Sequence, residues 1–537
     1  MRRFPIAFSL LALTSSWFVA LACGSRTGLL PGRVVAAAGG EPGFDAGPDV
    51  TTAECQLASD CPQPPPGSCG AAACVGGACE LSISQVCDDG DPCTLDSCEQ
   101  KMCVVVDGRV DADGDGAFAS GSSSDPTAAL GCGLDCDDAN PDVFPDALEL
   151  CDALDNDCNG VVDEGTQLQL TSAAPVQVSP ADAERAGASG LAFDGERFGA
   201  TMTLGRAGKK QGHFRLLDSQ GNPQGDTQRI ARVNAESYGG LLAWSGQHYL
   251  TAYEDARQAD NYEVYFDVLN RDGLRLIDDL RLTEADDFSL NPSLVWTGTE
   301  ALIVWDDRRF EGDMDGAAIM GQRLSSEGKP IGGNVRLTPP GVRGEAPRIA
   351  LSDTGVAIAF VMPEGDDLTR VGFMTASRQL ENPSSPIAVD VVNAVDPEVT
   401  AVGGKFVVTF HQEDSSIGPA IFGAVIGANG VERGPLSMTA GGLHARSHST
   451  YSYGDRFVMV WADTKDGPYQ LYAQTFDPNL KPLSQRLRVV SSGTQTLNPV
   501  LAPAADGGLG ILYDDDGSVG QRAVFFTRLD CQQAAQR

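Results

Sequence analysis

His248-Tyr249-Leu250-Thr251-Ala252-Tyr253, Ala301-Leu302-Ile303-Val304-Trp305, Phe406-Val407-Val408-Thr409-Phe410 and Phe457-Val458-Met459-Val460-Trp461 are copies of one phrase, a short apolar run closed by a large side chain. Aligning the chain on that closing residue gives seven anchors: Met202, Tyr253, Trp305, Phe360, Phe410, Trp461 and Tyr513, spaced by 51, 52, 55, 50, 51 and 52 residues. After the anchor come runs such as Tyr262–Gly273, Ala317–Gly328 and Ala420–Gly430, then LRLT, VRLT or LSMT. A fixed period in this range marks a repeat architecture, and four short strands per unit is the content of one propeller blade. The reading is a mainly β chain: a seven-bladed β-propeller over 167–531, with a short tail at 532–537.

The ends of the repeat array supply a check. The seventh unit stops after Val524–Asp530 without its last strand, whereas Val176-Gln177-Val178-Ser179 precedes the first unit. The N-terminal strand is therefore expected to complete the last blade and close the ring. Within the repeats, Asp255, Asp307, Asp463 and Asp515 share one register, and Arg206, Arg257, Arg309 and Lys465 another. Repetition in most blades points to a structural turn, with Asp accepting backbone N–H groups, rather than to a ligand site. The five histidines, His213, His248, His411, His444 and His448, are scattered in the sequence and read as turn or tunnel residues. No nucleophile elbow, HExxH or P-loop occurs, which weighs against catalysis.

Upstream the composition changes. Arg2-Arg3 followed by an apolar stretch to Ala22 reads as a secretory signal (1–22). Ala20-Leu21-Ala22 suits ordinary signal peptidase, and with Cys23-Gly24-Ser25 it also resembles a bacterial lipobox. The first reading gives a secreted protein. The second makes Cys23 a lipid attachment site, leaves an even fourteen cysteines, and gives an outer-membrane or cell-surface lipoprotein touching the membrane through that anchor alone. Residues 23–52 read as a flexible tether.

Nine cysteines lie between Cys55 and Cys103, with C-x4-C-x4-C spacing occurring twice, so 53–104 reads as a duplicated disulfide module. Nine is odd. Cys132, Cys136, Cys151 and Cys158 can pair among themselves, so Cys531 is expected to pair with a cysteine of this module.

The segment 105–166 is acidic: from Asp107 to Glu164 there are sixteen carboxylates against one arginine, in a chain of net charge −35. That charge argues against a nucleic-acid partner. Asp111, Asp113 and Asp115 before Gly116, and Asp155, Asp157 and Asn159 before Gly160, have the spacing of the first half of a calcium loop, with Asp163 at the ninth place of the second. Neither has the EF-hand glutamate at the twelfth. Glu164 is expected to complete the second loop, and Asp135, Asp137 or Asp138 the first.

Asp135 to Gly165, DCDDANPDVFPDALELCDALDNDCNGVVDEG, resembles the metal-binding motif of bacterial surface proteins, D-C-D-D…C-D-x-x-D-N-D-C-N-G-x-x-D-E, and is similar to thrombospondin type 3 repeats. The resemblance implies calcium and disulfides holding a chain with little apolar core. One member of that family is associated with copper. The acidic segment here contains no His, Met or Trp, so its hard oxygen donors point to calcium instead. The repeat region resembles uncharacterised bacterial propellers with VWxDxR-type repeats. The functional expectation is an exported surface protein whose calcium-stiffened stalk presents a propeller to a protein or glycan, without catalysis. An exported polysaccharide hydrolase and a metal-acquisition protein are the alternatives.

Overall fold

The computed structural model describes residues 55–62, 68–87, 94–99, 102–107, 111–118, 134–149 and, with short breaks, 151–533. The signal, Cys23, the tether, Cys93, Cys132 and Glu164 lie outside the described residues. Two compact units are present, one containing Met1–Cys87 with Ser97–Val104, the other Asp88–Asp96 with Val105–Arg537.

In the cysteine-rich region, Ser68–Val75 pairs with Ala78–Val86, and Thr94–Glu99 pairs with Met102–Asp107. Each hairpin turns between the last two cysteines of one C-x4-C-x4-C repeat, in accord with the duplication. Disulfides join Cys55 to Cys74, Cys61 to Cys79 and Cys87 to Cys103.

The second unit contains seven antiparallel sheets. Blade 1 covers 185–229, blade 2 241–281, blade 3 289–336, blade 4 345–389, blade 5 394–437, blade 6 445–488 and blade 7 496–533. Successive strands pair in order within each blade. The first strand of every blade touches the first strand of the next, and the seventh returns to the first, so these strands ring the axis.

Why the second strand reads as an unbroken apolar run is now explicit. In blade 3, Ala301, Ile303 and Trp305 face blade 2, while Leu302 and Val304 face blade 4. Both faces of a blade are buried against neighbours, so the in/out alternation of a half-exposed strand is absent. Seven apolar clusters result, one in each cleft between blades. All seven anchors are at most 1% exposed.

Closure follows the sequence reading and adds to it. Val176–Gln177 pairs with Phe525 and Phe526 in the last blade, and the Val178 N–H donates to the Val524 carbonyl at 2.8 Å. A strand not foreseen, Thr166–Leu170, extends the same edge by pairing with 529–533.

This added strand explains a correction to the disulfide map. Cys531 pairs with Cys151, not with the cysteine-rich module, and Cys136 pairs with Cys158. Cys531 sits opposite Leu168 in the ladder, which carries the acidic segment to the end of blade 7, where Gly507 packs against the Cys151 backbone. The Arg456 guanidinium donates to the Val162 carbonyl at 3.1 Å and fixes the same segment to blade 6. Among the described residues, no helix is long and apolar enough to cross a membrane.

The blades are also joined by polar side chains. The residue after the anchor accepts an N–H from the next blade in four places: Thr203 from Gly239 (2.9 Å), Glu254 from Asn291 (2.6 Å), Asp306 from Ala346 (2.9 Å) and Asp514 from Ala188 (2.6 Å). Asn291, Ala346, Asp396, Ser447 and Asn498 occupy one place in successive first strands, each with φ between 46° and 53° at a register shift. These are β-bulges, which turn a backbone N–H out of the ladder so that a side chain of the neighbouring blade can take it.

Candidate metal centre

In each acidic loop the backbone turns around the carboxylate of the first aspartate. In the first, the Gly114 and Gly116 N–H groups donate to the Asp111 carboxylate at 2.6 and 3.2 Å, and Ala117 N–H donates to Asp115 at 2.7 Å. Gly116 has φ +97° and Gly160 φ +92°, the sharp bend a loop needs at its sixth place. Oxygens of Asp111, Asp113 and Asp115 lie within 4.8 Å of one another.

Asp135 and Asp138 join this loop from the following stretch. Asp138 accepts the Ala112 N–H at 3.1 Å, and Asp135 is only 1% exposed. Burial, followed by the charges of Asp115, Asp113 and Asp138, raises the Asp135 carboxyl above its ordinary range, although the Asp137 N–H opposes this. Asp113 Oδ2, Asp115 Oδ2 and Asp135 Oδ2 are buried without a hydrogen-bond donor. Buried oxygens gathered from three carboxylates repel one another unless a cation sits among them. The donor set therefore fits a hard metal ion. Asp137 contributes its N–H to Asp135 at 2.9 Å, and its own side chain is exposed.

In the second loop, Asp155 accepts the Asn159 and Gly160 N–H groups at 3.0 and 2.7 Å, and the Asn159 side chain accepts from Val161 at 2.9 Å. The sequence reading missed Glu149 here. Its oxygen lies within 4.8 Å of those of Asp155 and Asp157, and its carboxylate accepts the N–H groups of Asp157 (2.9 Å) and Asp163 (2.7 Å). It stands in the quoted motif two residues before Cys151, and that place was its only signal in the sequence. Asp163 is buried at φ +52°, bent back under Glu149.

The Asp register of the propeller is structural, as repetition indicated. Asp307 holds Arg309 through Nε (2.6 Å) and Nη2 (2.7 Å) and accepts from Trp305 Nε1 at 3.0 Å. Asp255 binds Arg257 in the same fork, and Asp463 and Asp515 accept the N–H groups of Lys465 and Gly517.

Comparison with known proteins gives one family match and several distant structural likenesses. A family model named for copper binding and described as "Putative metal-binding motif" matches residues 135–164. No curated protein matches the sequence. Similar solved structures include a protein of unknown function from Dyadobacter fermentans (8% identity, 69% of this chain and 100% of that one, TM-score 0.43). Another is the β-propeller domain of the Trilobed protease from Pyrococcus furiosus (12% identity, 66% and 97%, TM-score 0.41). A third is Trypanosoma rangeli sialidase (11% identity, 57% and 56%, TM-score 0.37). At these scores the likenesses carry no argument about activity.

Proposed function

We propose that this protein is an exported bacterial lipoprotein, anchored through Cys23, whose acidic segment binds calcium and braces a propeller that binds a protein or glycan without catalysis. The observation that carries the calcium reading is the set of buried, undonated oxygens of Asp113, Asp115 and Asp135. Calcium takes six to eight oxygen ligands in flexible geometry, so carboxylates and loop carbonyls suit it, whereas copper prefers nitrogen and sulfur donors.

The test is thermal unfolding of the mature protein titrated with Ca²⁺, Cu²⁺ or EDTA. Ca²⁺ is expected to raise the transition, by about 2.7 kcal/mol at a hundredfold excess over the dissociation constant. EDTA is expected to lower it, and Asp135→Asn to abolish most of the response. An unfolding curve indifferent to Ca²⁺ and EDTA would overturn the calcium reading. A response to Cu²⁺ alone would also overturn it, in favour of metal acquisition.

A further inference from the structure

Two strand edges face a cavity of about 830 Å³ between blades 6 and 7, a volume within the span of natural ligand sites. One wall is Thr166–Leu170, the strand added to blade 7, and the other is the stretch 483–487 at the outside of blade 6. Each wall lines the cavity with every one of its residues. Side chains of a strand alternate between its faces, so a stretch that lines a cavity without alternation presents its edge to it.

Thr166–Leu170 has residues 529–533 on one side and, among the described residues, no strand on the other. The outermost strand of blade 6 is cut to Leu487–Arg488, two residues where blades 1, 2 and 3 have seven. The Thr171 N–H donates to the Arg528 carbonyl at 3.3 Å. Hydrogen bonding alternates along an antiparallel pair, so Gln169 and Gln167 also turn to blade 7, while Leu168 and Leu170 turn their N–H and C=O groups to the cavity. Val458, Ala473 and Leu529 give the lining an apolar part. Tyr453, 4% exposed, lines the same cavity, and its hydroxyl is buried with no hydrogen-bond partner. The two arginines that line it are already paired, Arg456 with Asp455 at 2.9 Å and Arg486 with Asp463 at 3.2 Å. The cavity thus combines an open backbone edge, one unmet hydroxyl and apolar surface, with no unpaired arginine to draw an anion.

We propose that this cavity takes an uncharged, extended peptide segment of a partner protein, added as a strand along the free edge of Thr166–Leu170. The proposal rests on the reading of the propeller as a binding module and gives that module its site and ligand class. A peptide backbone carries N–H and C=O groups at the repeat that Leu168 and Leu170 present, which sugar hydroxyls do not. Every second side chain of the segment meets the apolar lining, and the Tyr453 hydroxyl gains an acceptor.

The probe is a phage library of uncharged dodecapeptides, screened against the full mature protein in Ca²⁺, with a glycan array tested alongside. A selected peptide is expected to bind one per chain by calorimetry and to slow hydrogen exchange at the Leu168 and Leu170 amides. Leu168→Pro removes a cavity-facing N–H while leaving the bonds to blade 7, and should weaken the peptide about tenfold. Tyr453→Phe removes only the hydroxyl and should weaken it about fivefold. Both variants should keep the Ca²⁺-dependent melting. Peptides that bind both variants as tightly as wild type, or that leave the two amides unprotected, would overturn this site and leave the propeller a binding module elsewhere. Retention of glycans but no peptide would overturn the ligand class and keep the binding reading, whereas retention of neither would overturn both. A dimer of the free chain that Leu168→Pro dissolves would give the edge to a second copy, against the proposal.

Discussion

Asp306 shows how much of the joint between blades rests on a single atom. Its Oδ2 accepts both the Asn291 side-chain amide (2.7 Å) and the Ala346 N–H (2.9 Å), while Oδ1 is buried with no donor. Burial is the main cause that pushes this carboxyl up to about 6, against the two hydrogen bonds that favour its charge. The folded carboxyl then takes its proton at higher pH than the unfolded chain, so its ionisation erodes stability as pH rises through about 6. Asp306→Asn can keep an acceptor at the Oδ2 position and place its amide where the undonated oxygen was. It is expected to be more stable than wild type by about 2 kcal/mol at pH 8, with the advantage shrinking below about pH 6 and gone by about pH 4. Urea unfolding at both pH values measures this, and an Asn variant weaker at pH 8 would show that the charge itself holds the joint. None of this was legible in the sequence, where Asp306 and Asp307 are adjacent and only Asp307 stood out by repetition. The same applies to Thr409 and His448: 39 positions apart in the chain, they meet only because adjacent blades pack face to face.

At the scale of the strand and its turn, the sequence was far more open. Both faces of a blade bury apolar side chains, so the second strand announces itself as a continuous run, and the period of its anchors fixes the blades. Turn chemistry was legible wherever it repeated. Its energetics are unequal, however. Asp307 serves a buried indole N–H and an arginine fork, whereas Asp515 accepts from Gly517 N–H and Thr494 Oγ1. Asp307→Ala strands a guanidinium and an indole, and is expected to cost about 3–5 kcal/mol. Asp515→Ala should cost about 1–2 kcal/mol. Equal losses in chemical denaturation would mean that the arginine fork adds nothing to the turn. The strand Thr166–Leu170 escaped the reading because it belongs to no repeat and pairs only with the overrunning end of the last blade.

At the scale of the molecule, the wrong partner for Cys531 and the unforeseen edge strand are one error: parity counts cysteines, but the ladder decides which of them meet. The bridge to Cys151 spans 380 residues and encloses the whole ring. Loop-closure entropy for so long a span gives an expected loss of about 5 kcal/mol in a Cys151→Ser/Cys531→Ser variant. That variant should also lose much of the melting shift produced by Ca²⁺, since the acidic segment would then lose its disulfide link to blade 7. Calorimetry with and without Ca²⁺ on both proteins checks the coupling, and an undiminished shift in the variant would show that the loops brace the ring without the bridge.

That same bridge alters what a protease can achieve. A cut anywhere between residues 151 and 531 opens a covalent circle and leaves a single linked molecule. The two pieces remain joined through sulfur and held by seven apolar clefts, and part only under reduction. A clipped protein should run as one band on a non-reducing gel and as two after thiol treatment, so a breached loop alone does not divide it.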